Sequence, residues 1–271
     1  MSAEQGFAFR PGTHDEAMFR HIVAQNEYQL PDRLNGDETI VDIGVHIGGF
    51  SYLALSRGAR RVIGYEAEPG NAACARHNLA EFGDRAVVHH RAVWRSDRPA
   101  TRLHLTYSDD TPNTGGHSVV WESSGPGVET IGLDEVLQDA TDGGRGRVAL
   151  LKIDCEGSEF PILLTARRLD LVDRIAGEFH EYGCARNRQA IPEHARIEGV
   201  PEFTFEALVS ALERAGFRVT GRRHPEPFLG LFFAERPASA RPGPGRRLRA
   251  LWNAIRAPQD GRQPRSERTP R

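Results

Sequence analysis

The sequence predicts an α/β fold on an open, mostly parallel sheet. Three observations carry this expectation. Thr39-Ile40-Val41-Asp42-Ile43 reads as a strand, breaks into the glycine-rich run Gly44–Gly49, and becomes helical at Phe50–Leu55. Further short apolar runs alternate with helical stretches, the signature of parallel strands joined by helices. Val148-Ala149-Leu150-Leu151-Lys152-Ile153-Asp154 is nearly continuous in apolar residues, as a strand buried on both faces should be.

The chain of 271 residues is 39% hydrophobic, enough for a full core. Its net charge of −2 hides an asymmetry. Residues 237–271 carry +7 and the body −9, and a body this acidic does not read as a nucleic-acid groove. Cys74, Cys155 and Cys184 are too scattered for a disulfide framework or a zinc cluster, so reduced thiols and a cytoplasmic setting are expected. No secretory leader and no stable membrane insertion are expected, because no apolar stretch approaches the roughly 20 residues a span needs.

Residues 1–36 read as a helical lead. Thr13 and Glu16 suggest a capping box, with a helix from about Asp15 to Tyr28 ending before Pro31. That helix either lies over the mouth of a site or covers a sheet edge.

A strand feeding a helix through a glycine turn is how open α/β sheets build a nucleotide site. Here His46 holds the place of the second glycine in a dinucleotide fingerprint. Asp42, at the strand end, would repel a pyrophosphate but could bond an ammonium. A nucleoside with a cationic amino-acid tail and no phosphate fits both facts, and S-adenosylmethionine is such a ligand. The plain alternative is a tight turn with no ligand.

The second strand, Arg61–Glu66, ends in an acid about 20 residues after the turn, where it can bond ribose hydroxyls. Glu68 reads as an acid at the start of the next helix, opened by Pro69 and running to about Phe82. Ala86–His90 is the third strand, with His89 and His90 on opposite faces and structural. Arg91–Trp94 then borders the expected adenine site.

Residues 99–131 break the rhythm. Thr101–Tyr107 and Ser118–Glu122 both alternate, around a turn-rich Asp109–Gly116, which predicts an inserted β-hairpin. It either carries substrate selectivity or decorates the sheet edge.

Leu133–Leu137 should be a short helix. The strand at 148–154 ends in Asp154-Cys155-Glu156-Gly157-Ser158-Glu159, three acids in six residues at the strand end where such sheets bind ligands. Lys152 shares a strand face with Asp154, so a Lys–Asp pair is expected. In the strand Arg174–His180, Glu178 and His180 share a face beside Asp154. A helix capped by Thr204 and a final antiparallel pair near 217–220 and 228–233 complete the domain, 37–236. The tail from Pro237 reads as a mostly disordered basic segment holding one amphipathic stretch, with Leu248, Leu251, Trp252 and Ile255 at helical spacing. Self-docking or disorder is expected ahead of a weak anionic partner.

Asp42–Phe50, Glu66–Pro69, Lys152–Glu159 and Glu178–His180 together resemble the FkbM-type family of S-adenosylmethionine-dependent methyltransferases. Leu151–Glu159 is the most specific feature, and the resemblance covers roughly residues 36–236. Val45 and His46 depart from it, standing where the family usually has Ala and Asn. The resemblance implies a Rossmann-like class I fold, a seven-stranded sheet with one antiparallel strand, and methyl transfer to a hydroxyl of a natural product or sugar.

On this reading the donor site holds Asp42, Gly44, His46, Gly48, Phe50, Ser51, Glu66, Ala67, Ala92 and Asp154. Asp154, Glu156, Glu178 and His180 serve catalysis, with His180 as base because imidazole titrates near neutrality. A divalent cation on the acids is the disfavoured alternative. The competing classes are a nicotinamide-dependent oxidoreductase and a non-catalytic nucleoside-binding protein. The acceptor's identity and the oligomeric state are left open by the sequence.

Overall fold

A computed structural model of the chain describes residues 6–109, 112–121 and 123–237. The elements follow in the order α1 (Asp15–Gln25), β1 (Thr39–Ile43), α2 (Gly49–Ser56), β2 (Arg61–Glu66), α3 (Pro69–Asn78), β3 (Ala86–His90), β4 (Ala92–Trp94), β5 (Arg102–His104) and β6 (Gly127–Gly132). After these come α4 (Leu133–Ala140), β7 (Leu150–Ile153), α5 (Glu159–Thr165), β8 (Arg174–His180), α6 (Phe205–Arg214), β9 (Arg218–Arg223) and β10 (Leu229–Glu235). The amphipathic stretch at 248–255 lies outside the described residues. Among the described residues no helix is long and apolar enough to cross a membrane.

The main sheet has seven strands in the order β3-β2-β1-β7-β8-β10-β9. Only β10 runs against its neighbours, pairing antiparallel with both β8 and β9. The strand order reverses at β1, so the crevice lies beyond the carboxyl ends of β1 and β7.

β1 is buried along its whole length, and its faces divide the core. Val41 and Ile43 join the larger cluster with α4, α5 and α6; Ile40 joins a second cluster with α2, Tyr28 and Leu30. A strand covered on both sides has no polar face, which is why its sequence reads as a run rather than an alternation.

Three local expectations are corrected. The Thr13 hydroxyl donates to the Arg10 carbonyl at 2.8 Å and accepts from Asp15 N at 3.3 Å. It is thereby drawn out of the cap position, and His14 precedes the helix with no side-chain cap. Glu16 pairs with Arg20 at 2.8 Å instead of closing a box. Helix α1 also stops short of Tyr28. Asn26 turns left-handed (φ 47°), and its amide group holds both the N–H and the carbonyl of Leu30.

The third correction concerns the insertion, which is antiparallel as expected but has a different second strand. β5 pairs with β6, and Ser118 meets Thr106 only as an isolated bridge. Ala92–Trp94, expected to border the adenine site, forms β4 and pairs parallel with β6. Thr204 caps α6 as expected, accepting from Ala207 N at 3.2 Å.

Candidate active site

A cavity of about 580 Å³ opens at the switch point, within the usual size of a small-molecule site. Its floor is the glycine turn. Gly44 is left-handed (φ +78°), and a Cβ there would collide with the backbone carbonyl oxygen of Asp154. β1 and the end of β7 therefore meet through bare backbone. His46 is also left-handed (φ 53°), and Gly48 (φ +96°) opens α2.

The turn is tied to Glu66 at the end of β2. Glu66 Oε2 accepts from His46 N and Oε1 from Glu68 N, each at 2.8 Å. Each oxygen keeps a further lone pair, and Glu66 lines the cavity. Burial raises the Glu66 pKa, and the two amides work against that rise. Glu68 caps α3 by accepting from Asn71 N, the helix-start role expected of it.

Of the expected donor-site residues, Gly44, His46, Phe50, Glu66, Ala67, Ala92 and Asp154 line the cavity. Asp42, Gly48 and Ser51 do not. Asp42 is fully buried: it accepts from Ser51 Oγ at 2.7 Å and faces Lys152 Nζ at 3.3 Å. The ammonium it bonds is therefore the chain's own. The expected Lys152–Asp154 pair gives way to this one because the β1·β7 register sets Asp42 directly beside Lys152. Lys152 also donates to Gly44 O at 2.6 Å, so the pair braces the turn from below. Breaking such a pair on one side typically costs about 3–5 kcal/mol.

At the other end stand the carboxylates. Asp154, Glu156 and Glu178 line the cavity, but His180 does not. Its Nε2 lies 3.4 Å from Glu156 and 3.9 Å from Glu178, behind both. Its Nδ1 lies 3.4 Å from the buried Glu159. Burial disfavours the imidazolium, yet Glu159 and Glu156 outweigh burial and hold the His180 pKa well above its ordinary value. The ring expected as base thus lies outside the cavity lining, against Glu156 and Glu178, and is held toward its imidazolium form. Burial and neighbouring acids push Glu156 up to about 7 and Glu178 up to about 8, against the pull of His180. Asp154, Glu178 and His180 each offer a ligand atom, all within 4.8 Å of one another, so these are the described residues a divalent cation could use.

These shifts predict the pH dependence of stability for the ligand-free chain. Between pH 5 and 8 the folded chain holds protons on Glu156 and Glu178 that the unfolded chain releases near 4.5. Stability therefore falls as pH rises through that window, and above 6.5 the raised His180 adds to the fall. Thermal melts from pH 5 to 8 should show Tm decreasing; a rising Tm contradicts these ionisation states.

The lead roofs the cavity, which settles the choice between mouth and sheet edge. Ala17, Met18, Phe19, His21, Ile22, Glu27 and Tyr28 all line it. Tyr28 is buried and donates to Asp154 Oδ2 at 2.8 Å. The insertion supplies Gly115, His117 and Val119 to the same cavity. Lead and insertion are joined: His14 N donates to Pro112 O at 2.8 Å, and Thr114 Oγ1 donates to Asp15 at 2.6 Å. The His46 ring reaches up to that junction, 2.7 Å from Thr114 Oγ1. Nothing local in the sequence marks Tyr28, Glu27 or Thr114; the Phe7–Phe19–Tyr52 ring cluster seats α1 and with it the segment of Glu27 and Tyr28, while Thr114 is held by Asp15 and His46.

The profile of the Methyltransferase FkbM domain matches residues 42–219 of this chain. Among solved structures, the chain is similar to methyltransferase FkbM from Methylobacillus flagellatus KT, at 16% identity over 79% of this chain and 47% of that one, with a TM-score of 0.45. The chain thus spans about half the length of that protein. It is also similar to the O-methyltransferase from Bacillus cereus in complex with SAH, at 16% identity over 85% of this chain and 83% of that one, with a TM-score of 0.44. An rRNA methylase from Streptococcus thermophilus matches at 10% identity over 84% of this chain and 98% of that one, with a TM-score of 0.41. Similarities this distant carry no argument about substrate. No curated protein matches the chain.

Proposed function

The chain belongs to the FkbM methyltransferase family, and from that premise we propose that it moves a methyl group from S-adenosylmethionine to a hydroxyl of a small natural product or sugar. One observation carries the reading. A single cavity runs from the Glu66 carboxylate, at the end of β2, to the carboxylate cluster beyond β7 and β8.

The donor set suits this ligand. Glu66 would bond the ribose hydroxyls through the lone pairs that His46 N and Glu68 N leave free. Ala67, Ala92 and Val93 offer an apolar edge to the adenine, and Asp154 faces the cationic methionine end. The donor supplies a methyl already activated on a sulfonium. What remains for the protein is alignment, exclusion of water and removal of the acceptor's proton.

The roof excludes water. Tyr28 holds Asp154, and the Asp15–Thr114 bond closes lead against insertion. The proton is taken by a cavity-lining carboxylate, Glu178 or Glu156. Their raised pKa makes them stronger bases than ordinary carboxylates. The His180 imidazolium behind them stabilises the ionised forms that do this work.

The test is methyl transfer itself. The full chain would be incubated with methyl-labelled S-adenosylmethionine and a panel of sugars and hydroxylated small molecules, beside RNA, protein and amine acceptors. Label in a hydroxyl product supports the reading. Transfer confined to RNA, to protein or to a nitrogen acceptor would replace it.

A further inference from the structure

Glu159 takes no part in the chemistry above, yet it is buried beneath it. It is fully sealed from solvent at the first position of α5, where a helix dipole favours an acid. Oε1 accepts from Cys155 N at 2.8 Å and Oε2 from Gly157 N at 3.0 Å. Those two bonds close the turn in which Glu156 (φ 55°) and Gly157 (φ 99°) are both left-handed. They also fix the plane of the carboxylate. So fixed, Oε1 stands 3.4 Å from His180 Nδ1, a nitrogen sealed from solvent with no other hydrogen-bonding partner. The far edge of the same ring faces Glu156 and Glu178.

We propose that Glu159 is a positioning residue: it anchors His180 through Nδ1, so that Nε2 is the edge presented to the cavity carboxylates. This rests on the methyl-transfer reading. Anchored at Nδ1, the imidazolium turns its Nε2–H to Glu156 and Glu178, and when the ring loses a proton it is that one, Nδ1–H being kept by Glu159. At 3.4 Å the contact is long for a hydrogen bond, as the contacts of empty active sites often are. A turn-closing acid needs the two amides but no imidazole; Glu159 serves both at once, with its charge desolvated. No bond to Glu159 forms or breaks in the reaction.

The test reads the ring directly. The full chain would be labelled with ¹⁵N at histidine and saturated with S-adenosylhomocysteine, the donor's product. Spectra would be recorded above the transition of His180, with His180→Gln used to assign its signals. The expected result is a neutral ring protonated at Nδ1, and loss of that tautomer in Glu159→Gln. A ring protonated at Nε2 in the unsubstituted chain overturns the proposal. So does a tautomer that survives Glu159→Gln with the variant folded. If that variant does not fold, the spectrum of the unsubstituted chain decides alone. Absence of S-adenosylhomocysteine binding in the same samples counts against the methyl-transfer reading, while the ligand-free spectrum still decides the anchoring.

Discussion

Gly44→Ala is expected to abolish donor binding and to destabilise the chain. A Cβ at this position would run into the carbonyl oxygen of Asp154, which is backbone and cannot swing aside. The left-handed conformation adds a cost of its own. We expect a loss of roughly 3 kcal/mol or more, on the scale of backbone strain combined with overpacking. β1 and β7 would have to separate, and both Glu66 and Asp154 lean on that junction. Gly199→Ala is the control. It has nearly the same positive φ (+77°) but meets nothing within 4 Å, so it should cost only about 1–2 kcal/mol and leave donor affinity intact. Thermal melts and titration with S-adenosylmethionine on both variants separate the close approach from the dihedral. Equal effects of the two substitutions would show that the approach to Asp154 is unimportant.

Glu178→Gln should lower kcat by about 100-fold, the usual scale of losing a positioned base, with donor affinity changing little. Glu178 belongs to the carboxylate cluster, where the proposed acceptor would bind, and Glu66 to the end of β2. Its ionised form is also costly to the fold, since burial and Asp154 push its pKa up to about 8. An uncharged amide removes that repulsion. At pH 8 the variant should melt higher, by about 2–4 °C for each kcal/mol gained on a chain of this length. Lower activity with higher stability is the mark of a group kept for chemistry. Assays with the best hydroxyl acceptor and melts at pH 8 check both halves. Full activity would move the base elsewhere in the cluster.

Much of the scaffold was legible because its signals are local. β1, β2, β3, β7 and β8 are short apolar runs, and each of β1, β2 and β7 ends against a glycine turn or an acid. The residues that line the cavity from these strand ends, Gly44, Glu66, Asp154 and Glu178, were therefore found from spacing. What was not legible depends on register and depth. Asp42 looked free to meet a ligand, and only the pairing of β1 with β7 sets Lys152 beside it. Glu178 and His180 share a strand face, as period two requires, but the face does not say how deep each side chain lies. The buried Glu159, on a different element far away in sequence, stands 3.4 Å from the His180 ring, and no local pattern foretells that contact. The second strand of the insertion was missed because Val119 and Val120 are both buried, so alternation at 118–121 reflects packing and not pairing.

A cavity at the switch point built for a sulfonium donor should show itself in calorimetric titration of the full chain with S-adenosylmethionine, with nicotinamide dinucleotides alongside. The expected result is one site of micromolar affinity for S-adenosylmethionine, weakened in Glu66→Gln, and no dinucleotide binding. Dinucleotide binding to a folded chain that ignores S-adenosylmethionine would contradict it.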